Sequence, residues 1–203
     1  INILQYFDND GIQLSFLNAP EEAWDITRKV TRFDDEVKEK LESIEVRGKT
    51  PTISRVTRLL KYINAKDHKS GLTGEDMRKN LIIFITDGSP TDGTIYDLAH
   101  VLKDDKLYRN PDKKGHGGTY MQFCMCTEKG DLVEEFSKII DQGCPRTDVC
   151  DDYLSEKAEV TKAKGARYGE NWTRNRYAMK LLLGPILRQY GKQDIKGGCC
   201  SVM

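Results

Sequence analysis

Apolar residues along the chain alternate between two rhythms. Short dense runs occur at residues 81–88 (LIIFITDG) and 120–126 (YMQFCMC), and stripes at helical spacing lie between and around them. The first run holds five consecutive apolar residues and ends abruptly in Thr86, Asp87 and Gly88. A run without alternation predicts a strand covered on both faces, as at the centre of a parallel sheet. Upstream, IQLSFLN (residues 12–18) reads as a short strand after the DNDG turn, and residues 30–44 as a charged surface helix. RGKTPTIS predicts a loop and a helix start, with Thr50 as N-cap, Pro51 at the first helical position, and Val56, Leu59, Leu60 and Ile63 as the buried stripe. A polar loop over residues 66–79 leads into the 81–88 strand. Helices follow at residues 95–107 and 132–140, the latter with Leu132, Val133, Phe136, Ile139 and Ile140 inward. Residues 148–169 read as a polar excursion, helical around 156–164, and a last helix over 174–190 is broken at Gly184-Pro185. Strand and helix alternate, which predicts a layered α/β domain with a mainly parallel sheet.

Composition narrows this picture in a few places. A chain of 203 residues holds one domain with a substantial core. Lys plus Arg and Asp plus Glu both number 32, so no overall field points to nucleic acid. Charge is uneven, however: from Lys157 onward ten basic residues face three acidic ones. No run reaches the ~18 apolar residues of a membrane span, and no secretory signal is visible. Ile1, Leu4 and Phe7 before DNDG read as the end of a helix whose start lies upstream, so the chain is expected to be a fragment or a processed product.

Candidate chemistry gathers at one sheet edge. In open α/β sheets ligands collect at the carboxyl ends of the strands, where Asp87 stands. Thr50 precedes the helix that leads to the same strand. A hydroxyl and a carboxylate from two loops at one rim suit a hard cation such as Mg2+ or Mn2+, with an open position for a partner's carboxylate.

These residues belong to an ordered set: YFDNDGIQLSFLN (6–18), GKTPTIS (48–54), LIIFITDGSPTD (81–92), TYMQFCMC (119–126) and CDDYLSEKAEVTKAKG (150–165). Together they resemble the von Willebrand factor type A domain, and most closely its intracellular fungal and protist forms. The resemblance runs from the DNDG turn to Gly184. It implies a three-layer, doubly wound, mainly parallel sheet over residues 1–190, followed by a flexible tail over 191–203. It also implies a metal-ion-dependent adhesion site built from three loops, of which Thr50 supplies one ligand and Asp87 another. The third loop, an Asp-x-Ser-x-Ser motif closing a central first strand, is missing from this chain.

The carboxyl terminus reads Cys199-Cys200-Ser201-Val202-Met203. Cys200 is fourth from the end with a terminal Met, the pattern of farnesylation. Cys199 could add a palmitoyl chain, and the upstream basic residues attraction to anionic lipid. Cys124 and Cys126 share a strand face, whereas Cys144 and Cys150 read as loop residues. No zinc spacing emerges, so free, packing thiols are expected. His116-Gly117-Gly118 resembles a hydrolase oxyanion loop, but no G-x-S-x-G follows. Asp92 reads as solvated, and Trp24 and Trp172 as packing residues.

The resulting expectation is a non-enzymatic, metal-assisted module that binds a protein presenting an acidic residue and is held by a lipid anchor on a cytosolic membrane face. Two alternatives stand beside it: an α/β hydrolase or phosphotransfer enzyme using Asp87, and a scaffold that binds no metal.

Overall fold

The structure is a computed structural model that describes residues 12–17, 29–30, 38–39, 42–43, 48–104, 106–107, 110–112, 114 and 116–191. Trp24, the helical end around Ile1–Phe7 and the tail with Cys199 and Cys200 lie outside the described residues. At its centre is a parallel sheet of β3 (Asn80–Thr86), β4 (Thr119–Met125) and β5 (Thr147–Cys150), in that order. A separate antiparallel pair joins β1 (Ile12–Gln13) to β2 (Lys29–Val30). The strand expected over 12–18 is thus two residues long, and Val30, read as the start of a helix, is in a strand.

Helices connect the parallel strands and cover both faces. They are α1 (Thr52–Ser70), α2 (Ile95–Lys103), α3 (Gly130–Phe136, continuing as a π-helical turn over Ser137–Asp141), α4 (Tyr153–Lys164), α5 (Ala166–Glu170), α6 (Arg174–Leu183) and α7 (Arg188–Gly191). The break between α6 and α7 falls at Gly184-Pro185, as the missing amide of proline requires. The α/β class expected from the alternating pattern is what the chain adopts.

Both boundaries of α1 differ from expectation. α1 reaches Ser70 and stops at Gly71, whose φ of 64° closes the helix in the left-handed region. Its start is Thr52, and neither Pro51 nor Thr50 caps it through a side chain. The cap is instead long-range: Asp92 accepts from the amides of Ile53 (3.1 Å) and Ser54 (2.8 Å). Asp92 is therefore not simply solvated. Partial burial works to raise its carboxyl, but the hydrogen bonds from Ser54 and Ile53 outweigh that and hold it below the ordinary value. Asp92→Ala is expected to lower stability by about 1 kcal/mol, read as a shift of the urea midpoint, whereas removal of the Thr50 hydroxyl should leave α1 capped.

The strand 81–88 was expected at the centre of the sheet, yet among the described residues β3 pairs only with β4. β4 is the central strand, buried at all seven positions. An apolar run reports covered faces, and by itself says nothing of which edge is paired.

The sheet has two unlike faces. Ile82 and Phe84 of β3, Met121, Phe123 and Met125 of β4 and Val149 of β5 meet Val56, Leu60, Leu98, Leu102, Phe136 and Ile140 in one apolar core. Phe123 is its hub, with Phe84 and Phe136 rings at 5.6 and 5.8 Å. The alternate positions of β4 and β5 carry Gln122, Cys124, Asp148 and Cys150, all buried beside α4 and α6. There Lys180 of α6, with no exposed surface, meets Glu156 of α4 at 2.5 Å. On the same face β3 is poorly covered, and Ile85 is 66% exposed.

Candidate functional site

At the carboxyl end of β3 the chain turns through Asp87 and Gly88. The turn is held by the Thr86 hydroxyl, which accepts from the Gly88 amide at 3.3 Å. Thr86 also accepts, through its carbonyl, from the Cys126 amide at 2.8 Å, which ties this turn to the end of β4. Asp87 is exposed, as a residue just beyond a strand end must be to meet a ligand.

The loop before α1 lies against this turn. The Thr50 carbonyl accepts from the amides of Thr52 (2.8 Å) and Thr91 (2.9 Å), so residues 50 and 91 are stitched together. A Cβ placed on Gly88 would lie 3.9 Å from the Thr50 hydroxyl oxygen. The two residues singled out from the sequence, Thr50 and Asp87, therefore stand on adjoining loops at one rim. Asp92, four residues beyond Gly88, locks the arrangement by capping α1, so one loop holds both the turn and the helix start.

The rim also gathers residues that the sequence did not mark as functional. Cys126 follows β4 and is exposed. Partial desolvation pushes its thiol up, and nearby Cys124, Asp152, Asp151 and Asp87 push in the same direction. Asp151 and Asp152 follow β5; burial raises the Asp151 carboxyl. Asp152 is lowered by the Ser155 hydroxyl and by the amides of Leu154 and Ser155, which it caps at 2.7 and 3.2 Å. The carboxyl ends of β3, β4 and β5 together make an acidic edge around one thiol of low reactivity, since a raised thiol is rarely ionised. The available signal was the Asp-Asp pair after TDVC, which a polar reading of residues 148–169 concealed.

In kind, a hydroxyl and a carboxylate suit Mg2+ or Mn2+; in number, they fill two of about six positions. Among the described residues, no group of three or more His, Cys, Asp or Glu side chains is placed to hold a metal ion. Thr50 and Asp87 thus offer oxygen donors of the kind such a cation takes, and fewer of them than it needs.

The other sequence candidates separate from this rim. Cys150, expected in a loop, is the last residue of β5 and pairs in register with Cys124. The hydrogen bond that its thiol donates to Cys124, then burial, drives that thiol well up. Cys124, Cys126, Cys144 and Cys150 are all free. Trp172 is buried at 2% exposure, a packing residue as expected. His116 leads into the start of β4, at the far end of the sheet from Asp87, with its Nδ1 3.1 Å from Asp112. Among the described residues no helix is long and apolar enough to cross a membrane.

No family model, curated protein or solved structure matches the chain.

Proposed function

We propose that this chain is the greater part of a von Willebrand factor A-type module that binds a protein partner through a divalent cation. The observation that supports the reading most is the meeting of Thr50 and Asp87 on adjoining loops at the carboxyl rim of a parallel sheet. Thr50 would offer its hydroxyl and Asp87 its carboxylate to Mg2+ or Mn2+, with the remaining oxygens drawn from an Asp-x-Ser-x-Ser loop upstream of Ile1 and from water. When bound, the cation supplies an open coordination position for an acidic side chain of the partner. Asp92 keeps the two arms in register through its grip on α1.

The outer edge of β3 supports the same reading. Among the described residues it pairs on one side only, and Ile85 beside it is exposed. A strand that ends in such a loop would pair here, which would complete the sheet and pair the open backbone edge that otherwise invites aggregation. A farnesyl group on Cys200, a palmitoyl group on Cys199 and the basic residues from Lys157 onward would hold the module at a cytosolic membrane surface.

Titration calorimetry on the chain extended by its upstream strand tests the site. Asp87→Ala should abolish Mg2+ binding and leave the circular dichroism spectrum and melt intact. Unchanged Mg2+ affinity in that variant would remove Asp87 from the site. Intact-mass measurement of protein from a eukaryotic host checks the anchor: an unmodified Met203 terminus ends that part of the proposal.

A further inference from the structure

A second site lies at the opposite end of the sheet. A cavity of about 640 Å3 opens at the amino end of β5, lined among others by Asp141, Gly143, Arg146, Asp148, Gly184 and Gly191. This volume is in the range of small-molecule pockets and far beyond that of one water or ion. Its walls are irregular backbone: the π-helical turn ending at Asp141, the turn carrying Arg146 at φ 58°, and the Gly184-Pro185 break after α6. π-Helical turns often mark functional sites.

Asp148 is the group in this wall that demands an explanation. It is 2% exposed, and its Oδ2 finds no hydrogen-bond partner among the described residues. Two glycines leave room for the carboxylate. A Cβ on Gly184 would fall 2.2 Å from Oδ2, and one on Gly191 would fall 2.7 Å from Oδ1. Any side chain at either place would displace the carboxylate or close the space around it. A buried acceptor without a donor costs about 1–3 kcal/mol, so the arrangement makes sense if a donor arrives from outside.

We propose that this cavity binds a small aliphatic amine, whose ammonium group hydrogen-bonds Asp148 and is attracted by Asp141. A cation meets the demand better than a neutral donor, because it compensates the charge of a buried carboxylate whose Oδ2 has no hydrogen-bond partner among the described residues. The ammonium of Lys180 is held by Glu156 at 2.5 Å and acts on Asp148 through its charge. The site is separate from the Thr50–Asp87 rim and does not depend on how that rim works.

The charges around Asp148 fix the signature to look for. Burial, the largest influence, raises its carboxyl to about 8; Lys180 of α6 lowers it, Asp141 beyond α3 raises it, Gln122 of β4 lowers it by a hydrogen bond, and Glu156 of α4 raises it. At neutral pH the empty cavity therefore holds a protonated Asp148. An ammonium ligand binds the ionised form, so the proton leaves Asp148 for solvent as the ion pair forms. Aliphatic amines stay cationic to about pH 10.

Titration calorimetry of the full chain with cadaverine tests this, in two buffers of different ionisation enthalpy. Expected are one-to-one binding, release of close to one proton at pH 7, and affinity that rises about tenfold between pH 6 and 7 and levels off above pH 8. Asp148→Asn should abolish both binding and proton release while the circular dichroism spectrum is retained. Absence of binding by the unaltered chain at pH 8, or binding with the same proton release in Asp148→Asn, overturns the proposal. If that variant does not fold, the unaltered chain decides alone: affinity independent of pH between 6 and 8 overturns it as well.

Discussion

Lys180→Ala is expected to destabilise the protein by about 3–5 kcal/mol at pH 7, the loss typical when one member of a buried ion pair is removed. Lys180 is fully buried and Glu156 is 2% exposed, so neither has water to fall back on. Glu156 also accepts from the Asp151 amide at 3.0 Å, which fixes its carboxylate at the start of α4. Without Lys180 that carboxylate remains in place, and Asp148 on the same sheet face loses the cation that lowers it. Asp148 would stay protonated, and Glu156 would be left as a buried carboxylate without its ammonium partner. The double variant Lys180→Met, Glu156→Gln removes both charges and should recover most of the loss, because a buried pair is worth little against apolar or neutral groups of similar size. Urea denaturation of the four proteins in the cycle measures this directly. A loss below about 1 kcal/mol in Lys180→Ala would show that the pair is not desolvated as the structure has it.

Asp148 should give the protein an unusual dependence of stability on pH. Its carboxyl is raised from 3.8 to about 8, chiefly by burial. A folded-state value above the unfolded one means that the native state holds a proton the unfolded state has released. Stability from this group is then full below pH 4 and is lost steadily as pH rises towards 8. By pH 7 the loss is roughly 4 kcal/mol, at ~1.4 kcal/mol for each pH unit above the unfolded value. Asp148→Asn carries no titrating proton, so it should be more stable than the unaltered protein at pH 8 and nearly equal at pH 4. The difference between the two urea-derived stabilities, plotted from pH 4 to 9, should slope upward and level off above 8. A flat difference would show that Asp148 is hydrated in the folded protein. The direction is opposite to that of Asp92 and Asp152, which hydrogen bonds hold low and whose contributions are lost only on acidification.

These two residues also mark the limit of what a linear reading could find. Lys180 sits on α6 with Tyr177 three residues before it and Gly184 four after, the spacing of one helical face. Counted among the basic residues from Lys157 onward, it reads as part of a solvated face. Asp148 was placed in a polar excursion, because TDVC is too short and too mixed to stand out as a strand. Both assignments followed hydrophobicity, which reports the average fate of a residue type. Lysine and aspartate are seldom buried, and a pattern reading assigns them to solvent unless a partner is visible. Their partners lie far off in sequence: Glu156 is 24 residues before Lys180.

The rim was more legible. Thr50 and Asp87 were chosen from strand-end position and from resemblance, and the fold brings their loops together. The role of Asp92 was not legible. Its hydrogen bonds reach Ile53 and Ser54 across 39 and 38 residues, and no local signature distinguishes such a cap from a solvated aspartate.

The sequence by itself determined the periodic features: the two apolar seven-residue strands β3 and β4, the stripes of α1, α2 and α3, the break at Gly184-Pro185, and hence the α/β class. Each of these follows from short-range spacing and backbone chemistry, which act within a few residues. Tertiary structure alone decided that β4 lies between β3 and β5 among the described strands, and that TDVC joins the sheet as β5. It alone buried Lys180, Glu156 and Asp148 in one polar layer and left a cavity beside the last of them. Strand order and buried charge both depend on contacts between residues distant in the chain. Their energies come from desolvation and pairing in three dimensions, quantities that no window of sequence contains.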